Sequence, residues 1–401
     1  MSATISSPPS LHPSLHLQAG RSRRLRAGHP WVFSNEIVMD AAAKALPPGG
    51  LVRIVDAGGE ALGIGSFNPH SLIAIRLLSR DPEAAIDADF LAARLKRALD
   101  LRDALFDGPY YRLCHAEADG LGGLVIDRFG DAVTVEANTA GMEMLLPEIL
   151  AALDKVIAPT TVLIKNDSPV RKLEGLELYD KVAKGELSAP IELIENGVRF
   201  LADLTTGQKT GWFYDQRDNR AAVAKLAKGR TMIDFYTYAG GFALQAAKAG
   251  ASRVVAVDRS EGSLALAAKS AELNGLPLEV VRADAFAEME RLANAGQRFG
   301  VVVSDPPAFV KSKKDLAAGA KGYRKMTRLA AALVEPGGYL LVASCSHHMS
   351  PENFAEEVRH GLSTAQRSGR ILRSAGAGSD HPLHPNLPES AYLKALLLQL
   401  D

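Results

Sequence analysis

The sequence predicts an α/β protein, an open parallel sheet wound by helices in the C-terminal half, preceded by a small β-barrel and a small α/β unit. Three observations predict it. Met232-Ile233-Asp234 and Arg253 to Asp258 are short apolar runs that each end in an acid, and a helical pattern follows each, Phe242 to Ala249 and then up to Asn274. The same run-then-acid pattern returns at Val280 to Asp284 and at Gly300 to Asp305. Upstream, Gly50 to Val55, Leu62 to Phe67 and Ser71 to Leu78 read as short strands separated by Gly58-Gly59 and Asn68-Pro69 turns, the spacing of a barrel.

Composition bounds the function. With 401 residues the chain can hold two or three domains, and 47% apolar with 23% charged residues is ordinary for a soluble protein. The formal net charge is zero, so any nucleic-acid contact must come from local patches. Cys114 and Cys345 are the only cysteines. They offer no disulfide framework and no C-x-x-C metal site, which points to a reducing compartment. No apolar run reaches membrane-spanning length and no leader is visible, so the expectation is a cytoplasmic protein without membrane or metal partners. The oligomeric state stays open, a homodimer included.

Taken in order, residues 1–17 carry many Ser and Pro and read as a flexible tail. The barrel spans 18–86. Arg21, Arg23, Arg24 and Arg26 lead into Gly28-His29-Pro30-Trp31-Val32-Phe33. Charge clusters usually mark solvated faces; the adjacent Trp31 and Phe33 raise the nucleic-acid reading, and the alternative is that they are simply core residues. Residues 87–190 form the small α/β unit: a helix over Asp89 to Leu105, a hairpin from Leu124–Asp127 and Ala132–Ala137, a helix near Gly141 to Val156 and a strand at Thr161 to Lys165. Cys114 and His115 are adjacent without further ligands, so Cys114 reads as a packed residue. In the last domain, 191–401, Glu192 to Asp203 and Gly211 to Tyr214 read as strands around the turn Thr205 to Thr210, and Asp215 is placed to cap the helix that follows.

The acids define the site. In an open parallel sheet ligands bind beyond the carboxyl ends of the strands, where a glycine turn and a helix N-terminus meet them. Asp234, Asp258, Asp284 and Asp305 fall on that rim, with Gly240 and Gly241 in the turn. Asp258 is placed to accept from ribose hydroxyls and Asp284 from an adenine amino group. Ala239-Gly240-Gly241-Phe242 lacks the G-x-G-x-x-G set that a pyrophosphate needs. A cofactor with adenosine and no phosphates, S-adenosylmethionine, fits better. Asp305-Pro306-Pro307-Ala308-Phe309 must form a stiff turn, because two prolines cannot continue a central strand. Beyond it, Lys311, Lys313, Lys314, Lys321, Arg324, Lys325 and Arg328 surround Tyr323. This is either a basic flap that guides an RNA backbone or an exposed helix, and Ala317 to Ala320 suggests flexibility. Cys345 ends the strand Leu340 to Ala343 on the rim that carries Asp305. A thiolate there can add to carbon 6 of a pyrimidine and make carbon 5 nucleophilic, while Asp305 bonds the cytosine N3 and amino edge. His347, His348 or the basic flap are candidates for lowering the thiol pKa.

The four rim acids in order resemble the motifs of class I S-adenosylmethionine-dependent methyltransferases, a Rossmann-like fold. Arg24 to Ser34 resembles the start of a PUA-type RNA-binding domain. Glu117-Ala118-Asp119-Gly120 with Asp127-Arg128, Gly207-Gln208-Lys209-Thr210-Gly211 with Asp215-Gln216-Arg217, and Ser344-Cys345-Ser346 are similar to segments of the ribosomal RNA large-subunit methyltransferase I family. The resemblance runs from about residue 20 to the end, Leu383 to Leu400 included. It implies formation of 5-methylcytosine in 23S ribosomal RNA, with Cys345 and Asp305 catalytic. It also implies a cofactor site of Asp234, Tyr236, Gly240, Gly241, Asp258, Asp284, Asp305, Pro306 and Gln216, and substrate contacts from Arg24, Arg26, Pro307, Phe309, Lys311 and Lys313. Ala308 stands where another group of RNA cytosine methyltransferases carries a second cysteine. Two alternatives remain: methylation of an exocyclic base amine, which needs no thiol, and a non-catalytic RNA-binding assembly factor, which would not bind S-adenosylmethionine.

Overall fold

The computed structural model describes residues 12–187, 190–205, 207 and 210–401. Most of the expected tail, and Thr206, Gln208 and Lys209 of the expected turn, lie outside the described residues. The chain divides into two compact units, Met1–Leu187 with Pro382–Pro388, and Ser188–His381 with Glu389–Asp401.

The first unit carries two sheets. Strands β1 (Ser14–His16), β2 (Trp31–Phe33), β3 (Gly50–Val55), β4 (Ala61–Phe67) and β5 (Ile73–Ser79) pair in the order β1-β3-β4-β5-β2. The two outer strands meet just past their ends through the bridge Leu17–Ile37 and the bond from Val38 N to His16 O, 2.8 Å, which closes the expected barrel. Register shifts at Val32/Phe33, Ile54/Val55 and Ile64/Gly65 supply the bending. Strand β1 corrects the expectation of a tail up to residue 17. Leu15 and Leu17 alternate into the barrel core beside Val52 and Ile54, and that buried surface overrides the Ser- and Pro-rich flank.

The second sheet, β6 (Tyr110–His115), β7 (Leu124–Phe129), β8 (Ala132–Ala137), β9 (Thr161–Asn166) and β10 (Tyr179–Lys184), has the order β10-β9-β8-β7-β6. Leu91, Leu95 and Leu99 of the helix Ala88–Leu105 and Ile149 and Leu153 of the helix Leu146–Val156 pack on Ile126, Val133 and Val135. Cys114 is fully buried there, and burial pushes its thiol well above the ordinary range. The Glu117–Gly120 segment does structural work: Asp119 holds the fully buried Arg102 through two bonds of 2.7 and 2.9 Å, and Glu117 accepts from Trp31 Nε1 at 2.8 Å.

The second unit opens with a hairpin, β11 (Ile191–Glu195) and β12 (Val198–Ala202). One strand was expected over 192–203, but Asn196 (φ 50°) and Gly197 (φ 76°) both take the left-handed region that a two-residue hairpin turn requires. Then follow β13 (Thr231–Phe235), β14 (Arg253–Asp258), β15 (Glu279–Arg282), β16 (Phe299–Ser304), β17 (Val334–Ser344), β18 (Gly369–Ala375) and β19 (Lys394–Leu400), in the order β15-β14-β13-β16-β17-β19-β18. The first five run parallel and β19 is antiparallel to both neighbours. Val302, Leu340 and Val342 point into one core with Met326, Leu329 and Phe354, while Val301, Val303 and Leu341 point into another with Val223, Phe242 and Ala246. Alternation across the strands thus gives the three-layer α/β/α arrangement. Ala317 to Ala320, expected to be flexible, lie inside the helix Leu316–Ala332, where Gly319 packs against Phe309 and Val310. Among the described residues no helix is long and apolar enough to cross a membrane.

Candidate cofactor and catalytic site

Strand order reverses between β13 and β16, so the carboxyl ends of these two strands form the crevice where an open α/β sheet takes its ligand. Phe235 pairs with Val257 on one side and Ser304 on the other. This register brings Asp258, Asp305 and the turn after β13 to one edge of the sheet, as the sequence predicted.

That turn is strained. Tyr236 (φ 61°) and Tyr238 (φ 53°) both sit in the left-handed region, which L side chains rarely adopt and which costs on the order of 1–3 kcal/mol each. The surroundings hold it there. Tyr238 N donates to Asp258 Oδ2 at 3.0 Å, Tyr238 OH donates to Gly211 O at 3.0 Å, and the Phe213 ring meets the Tyr238 ring edge-on at 5.2 Å. Gly211 to Tyr214, read as a strand, is instead the irregular segment that makes these contacts. Gly241 is required by close approach: a Cβ there would lie 2.5 Å from Arg220 Nε.

Asp234 is strongly perturbed in the crevice. It is 1% exposed, and its Oδ2 accepts from Thr237 Oγ1 at 2.6 Å and from Ala243 N at 3.2 Å. Its Oδ1 has no partner among the described residues. Burial chiefly, with the charge of Asp305 added, raises its pKa from 3.8 to about 7. Between those values the folded protein keeps a proton that the unfolded chain has lost. Stability therefore falls as pH rises from about 4 to about 7 and is level above that. We expect Asp234→Asn, which keeps the Oδ2 bonds and removes the buried charge, to melt at a higher temperature than the parent at pH 8 and no higher at pH 4. An equal melting-point difference at both pH values in differential scanning calorimetry would contradict this account.

The other rim acids are partly committed. Asp258 Oδ1 accepts from Ser260 N at 2.9 Å. Asp284 caps the helix Ala285–Asn294 by accepting from Ala287 N at 3.1 Å. Asp215, expected as a helix cap, accepts instead from Tyr392 OH at 2.5 Å, and the helix Arg217–Ala227 begins without a side-chain cap. Gln216 is buried, with Oε1 accepting from Asn219 and Nε2 without a partner among the described residues.

Cys345 lies one residue past β17, half-buried, with Sγ 4.0 Å from Pro306 O. Its segment is tied to the proline turn: Val310 N donates to Ser346 Oγ at 3.1 Å, and Ser346 Oγ lies 2.8 Å from Tyr323 OH. Pro307 is exposed. Phe309 packs between Tyr323 (4.8 Å) and Phe286 (6.0 Å), so much of its ring is already engaged. Lys311 and Lys313 are exposed, whereas Arg324 and Lys325 pair with Glu357 and Glu290. In the first unit Arg26 is held by Asp56 and Glu60, both at 2.7 Å, and Arg24 lies 2.7 Å from His29 Nε2 and over the Phe33 ring. These arginines are therefore less available to phosphates than the sequence suggested.

Two groups escaped the sequence reading. Lys394 begins β19 opposite Ser344, and its buried ammonium donates to Ser346 O at 2.6 Å and Tyr392 O at 2.7 Å. Burial lowers its pKa to about 8, and the charge it feels in the opposite sense is that of Cys345. Glu195, fully buried, accepts from Trp212 Nε1 (3.0 Å), Arg220 Nη1 (2.8 Å) and Gln245 Nε2 (2.9 Å) directly behind the glycine turn.

Comparison with known proteins agrees with this geometry. Residues 179–399 match the S-adenosylmethionine-dependent methyltransferase family and residues 15–80 the PUA-like domain family. The chain is similar to ribosomal RNA large subunit methyltransferase I of Photobacterium profundum, 39% identical over 388 residues covering 95% of this chain and 98% of the relative. The protein of that name from Aeromonas hydrophila is 38% identical over 395 residues, 96% of this chain and 99% of the relative. Among solved structures, a methyltransferase complexed with SAH superposes with a TM-score of 0.81 at 21% identity, covering 96% of this chain and 100% of the other. A SAM-dependent methyltransferase from Streptococcus mutans gives 0.79 at 21% identity with the same coverage. These two share the fold.

Proposed function

We propose, for a chain that belongs to the S-adenosylmethionine-dependent methyltransferases and within them to the ribosomal RNA large subunit methyltransferase I family, that it forms 5-methylcytosine in 23S ribosomal RNA through a covalent adduct on Cys345. The observation that carries this reading is the half-buried thiol beside the proline turn, on the sheet edge that holds Asp305.

The residues fit the cofactor. Asp234 Oδ1 near the end of β13 and Gln216 Nε2, three residues after the Phe213 that packs on Tyr238, are a buried acceptor and a buried donor without partners among the described residues, and such groups normally find partners. Asp258 would take the ribose, Asp284 the adenine side, and Tyr236 and Pro306 the flanks of the site, with Gly240 and Gly241 letting the backbone approach. S-adenosylmethionine, when bound, supplies an electrophilic methyl group.

The chain's own part is to activate the base. The Cys345 thiolate adds to carbon 6, the carbon 5–carbon 6 double bond opens, and carbon 5 gains the electron pair with which it takes a methyl group. Asp305 holds the N3 and amino edge and favours the protonated ring. Loss of the carbon 5 proton to a base then restores the double bond and expels the thiolate. Lys394 supports the thiolate electrostatically, a role for which the sequence offered only His347, His348 and the flap. His347 and His348 are exposed, whereas the Lys394 ammonium reaches across from β19 and is buried against Ser346 O, the carbonyl of the residue after Cys345.

Mass spectrometry of nucleosides from 23S ribosomal RNA incubated with the protein and S-adenosylmethionine tests the reading. A new 5-methylcytidine is expected, and a methylated exocyclic amine instead would refute it. For Lys394→Met we expect alkylation of Cys345 by iodoacetamide at pH 7, where the lysine is charged, to slow about threefold, since one unit of thiol pKa cuts the thiolate about tenfold and the more basic thiolate regains about a factor of three. An unchanged rate would remove Lys394 from the mechanism.

A further inference from the structure

A second concave site lies in the first unit. It encloses about 190 Å³ and is lined by Arg76, Arg80, Arg94, Glu117, Gly120 and His384 among others. Its charges do not balance. Arg76 is spent on Glu174 at 2.9 Å and Glu117 at 3.6 Å, and Glu117 is further engaged by Trp31 Nε1. Arg80 and Arg94 are held by main-chain carbonyls, Arg80 Nη2 on Leu25 O and Arg94 Nη2 on Leu78 O, both at 3.0 Å. Neither forms an ion pair among the described residues, although Arg94 lies over the Phe90 ring at 5.1 Å, so the three arginines set against Glu117 and Glu174 leave one net positive charge at the cavity. Burial and the nearby Arg97 work against the Arg94 charge, which an arriving anion would relieve.

The backbone keeps the space open. Gly120 stands at φ +74°, and a Cβ there would lie 2.9 Å from Arg94 Nη1. Any larger residue would therefore press on the guanidinium. Carbonyl-anchored arginines whose other N–H groups have no hydrogen-bond partner among the described residues match the tetrahedral oxygens of a phosphate, which Arg recognises through paired hydrogen bonds.

We propose that this cavity binds a backbone phosphate of the RNA substrate, at a site separate from the methyl-transfer crevice. The proposal rests on the reading of RNA as substrate. It also replaces Arg26, which two carboxylates neutralise, with Arg80 and Arg94 as the phosphate contacts of this unit.

The test is the salt dependence of RNA binding by the full chain. Fluorescence anisotropy with a labelled 23S ribosomal RNA fragment is run from 50 to 300 mM salt for the parent, the double variant Arg80→Gln/Arg94→Gln and Arg97→Gln. Each phosphate contact contributes roughly 0.7–0.9 to the slope of log K against log salt. The double variant should lose roughly one unit of slope and bind about tenfold more weakly at 150 mM. Its affinity for S-adenosylmethionine should stay at the parent's value, and its circular dichroism spectrum should show it folded at the assay temperature. Arg97→Gln removes a charge from the same helix outside the cavity and should keep the parent slope. An unchanged slope in the double variant, or an equal loss in Arg97→Gln, overturns the site. Inorganic phosphate that binds the parent more tightly than the RNA fragment competes for these arginines would overturn RNA as its occupant. Because the readout is binding, a parent that fails to methylate RNA refutes the proposed reaction and still leaves this measurement decisive.

Discussion

Replacement of Cys345 by alanine is expected to lower the rate of methyl transfer to RNA by a factor on the order of 10⁴ or more, the scale on which loss of a covalent nucleophile acts. The same variant should bind S-adenosylmethionine as the parent does, since Asp234, Asp258 and the glycine turn are untouched. RNA that carries 5-fluorocytosine separates the roles further. Fluorine at carbon 5 cannot leave as a proton, so a parent that adds its thiolate to carbon 6 and methylates carbon 5 stays covalently joined to the RNA. That adduct should appear in denaturing gels and by mass at the peptide holding residue 345, and it should vanish in Cys345→Ala. An exocyclic-amine methyltransferase would keep its turnover in this variant and form no adduct. A non-catalytic RNA-binding protein would fail earlier, at cofactor binding by calorimetry.

How much of this site could be read from the chain follows from how local each signal is. Asp258 and Asp305 declare themselves because a parallel strand buried on both faces is a continuous apolar run, and the acid that interrupts it marks the rim. Register between β13, β14 and β16 then puts them on one edge whatever the intervening loops do. Cys345 was legible for the same reason. Lys394 was not, because its place beside residues 344–346 depends on the antiparallel pairing of β17 with β19. Arg80 and Arg94 were hidden similarly. Each looks like one more solvated charge until the fold brings β5 and the helix Ala88–Leu105 around one cavity. Glu195 was passed over as a polar residue within a strand, although the Asn196-Gly197 pair beside it announces a hairpin. The strand expected at Gly211 to Tyr214 failed because its aromatic residues face partners that no period-two pattern encodes: Trp212 meets Phe200 and Arg220, and Phe213 meets Tyr238.

The second large effect is one of stability and begins at Glu195. Its carboxylate is the buried counterion of Arg220, with Arg217 Nε at 3.9 Å, and it also satisfies Trp212 and Gln245. Glu195→Gln keeps the volume and removes the charge, which leaves the Arg220 guanidinium buried with no carboxylate of its own and only the rings of Trp212 (4.6 Å) and Phe242 (5.7 Å) over it. Breaking a buried pair from one side costs about 3–5 kcal/mol, because the desolvation of the surviving charge is no longer offset. Urea unfolding followed by circular dichroism should show that loss, and the double variant Glu195→Gln/Arg220→Met should recover at least about 1 kcal/mol of it, since neighbours in one network are not additive. The effect should reach the cofactor as well. Gly241 leaves only enough room for Arg220 beneath the turn, so a displaced guanidinium moves the backbone that Asp234 and Ala243 N define. Weaker S-adenosylmethionine binding in Glu195→Gln, restored in part by the double change, would tie the network to the site. A single variant as stable as the parent would show that the pair holds nothing up.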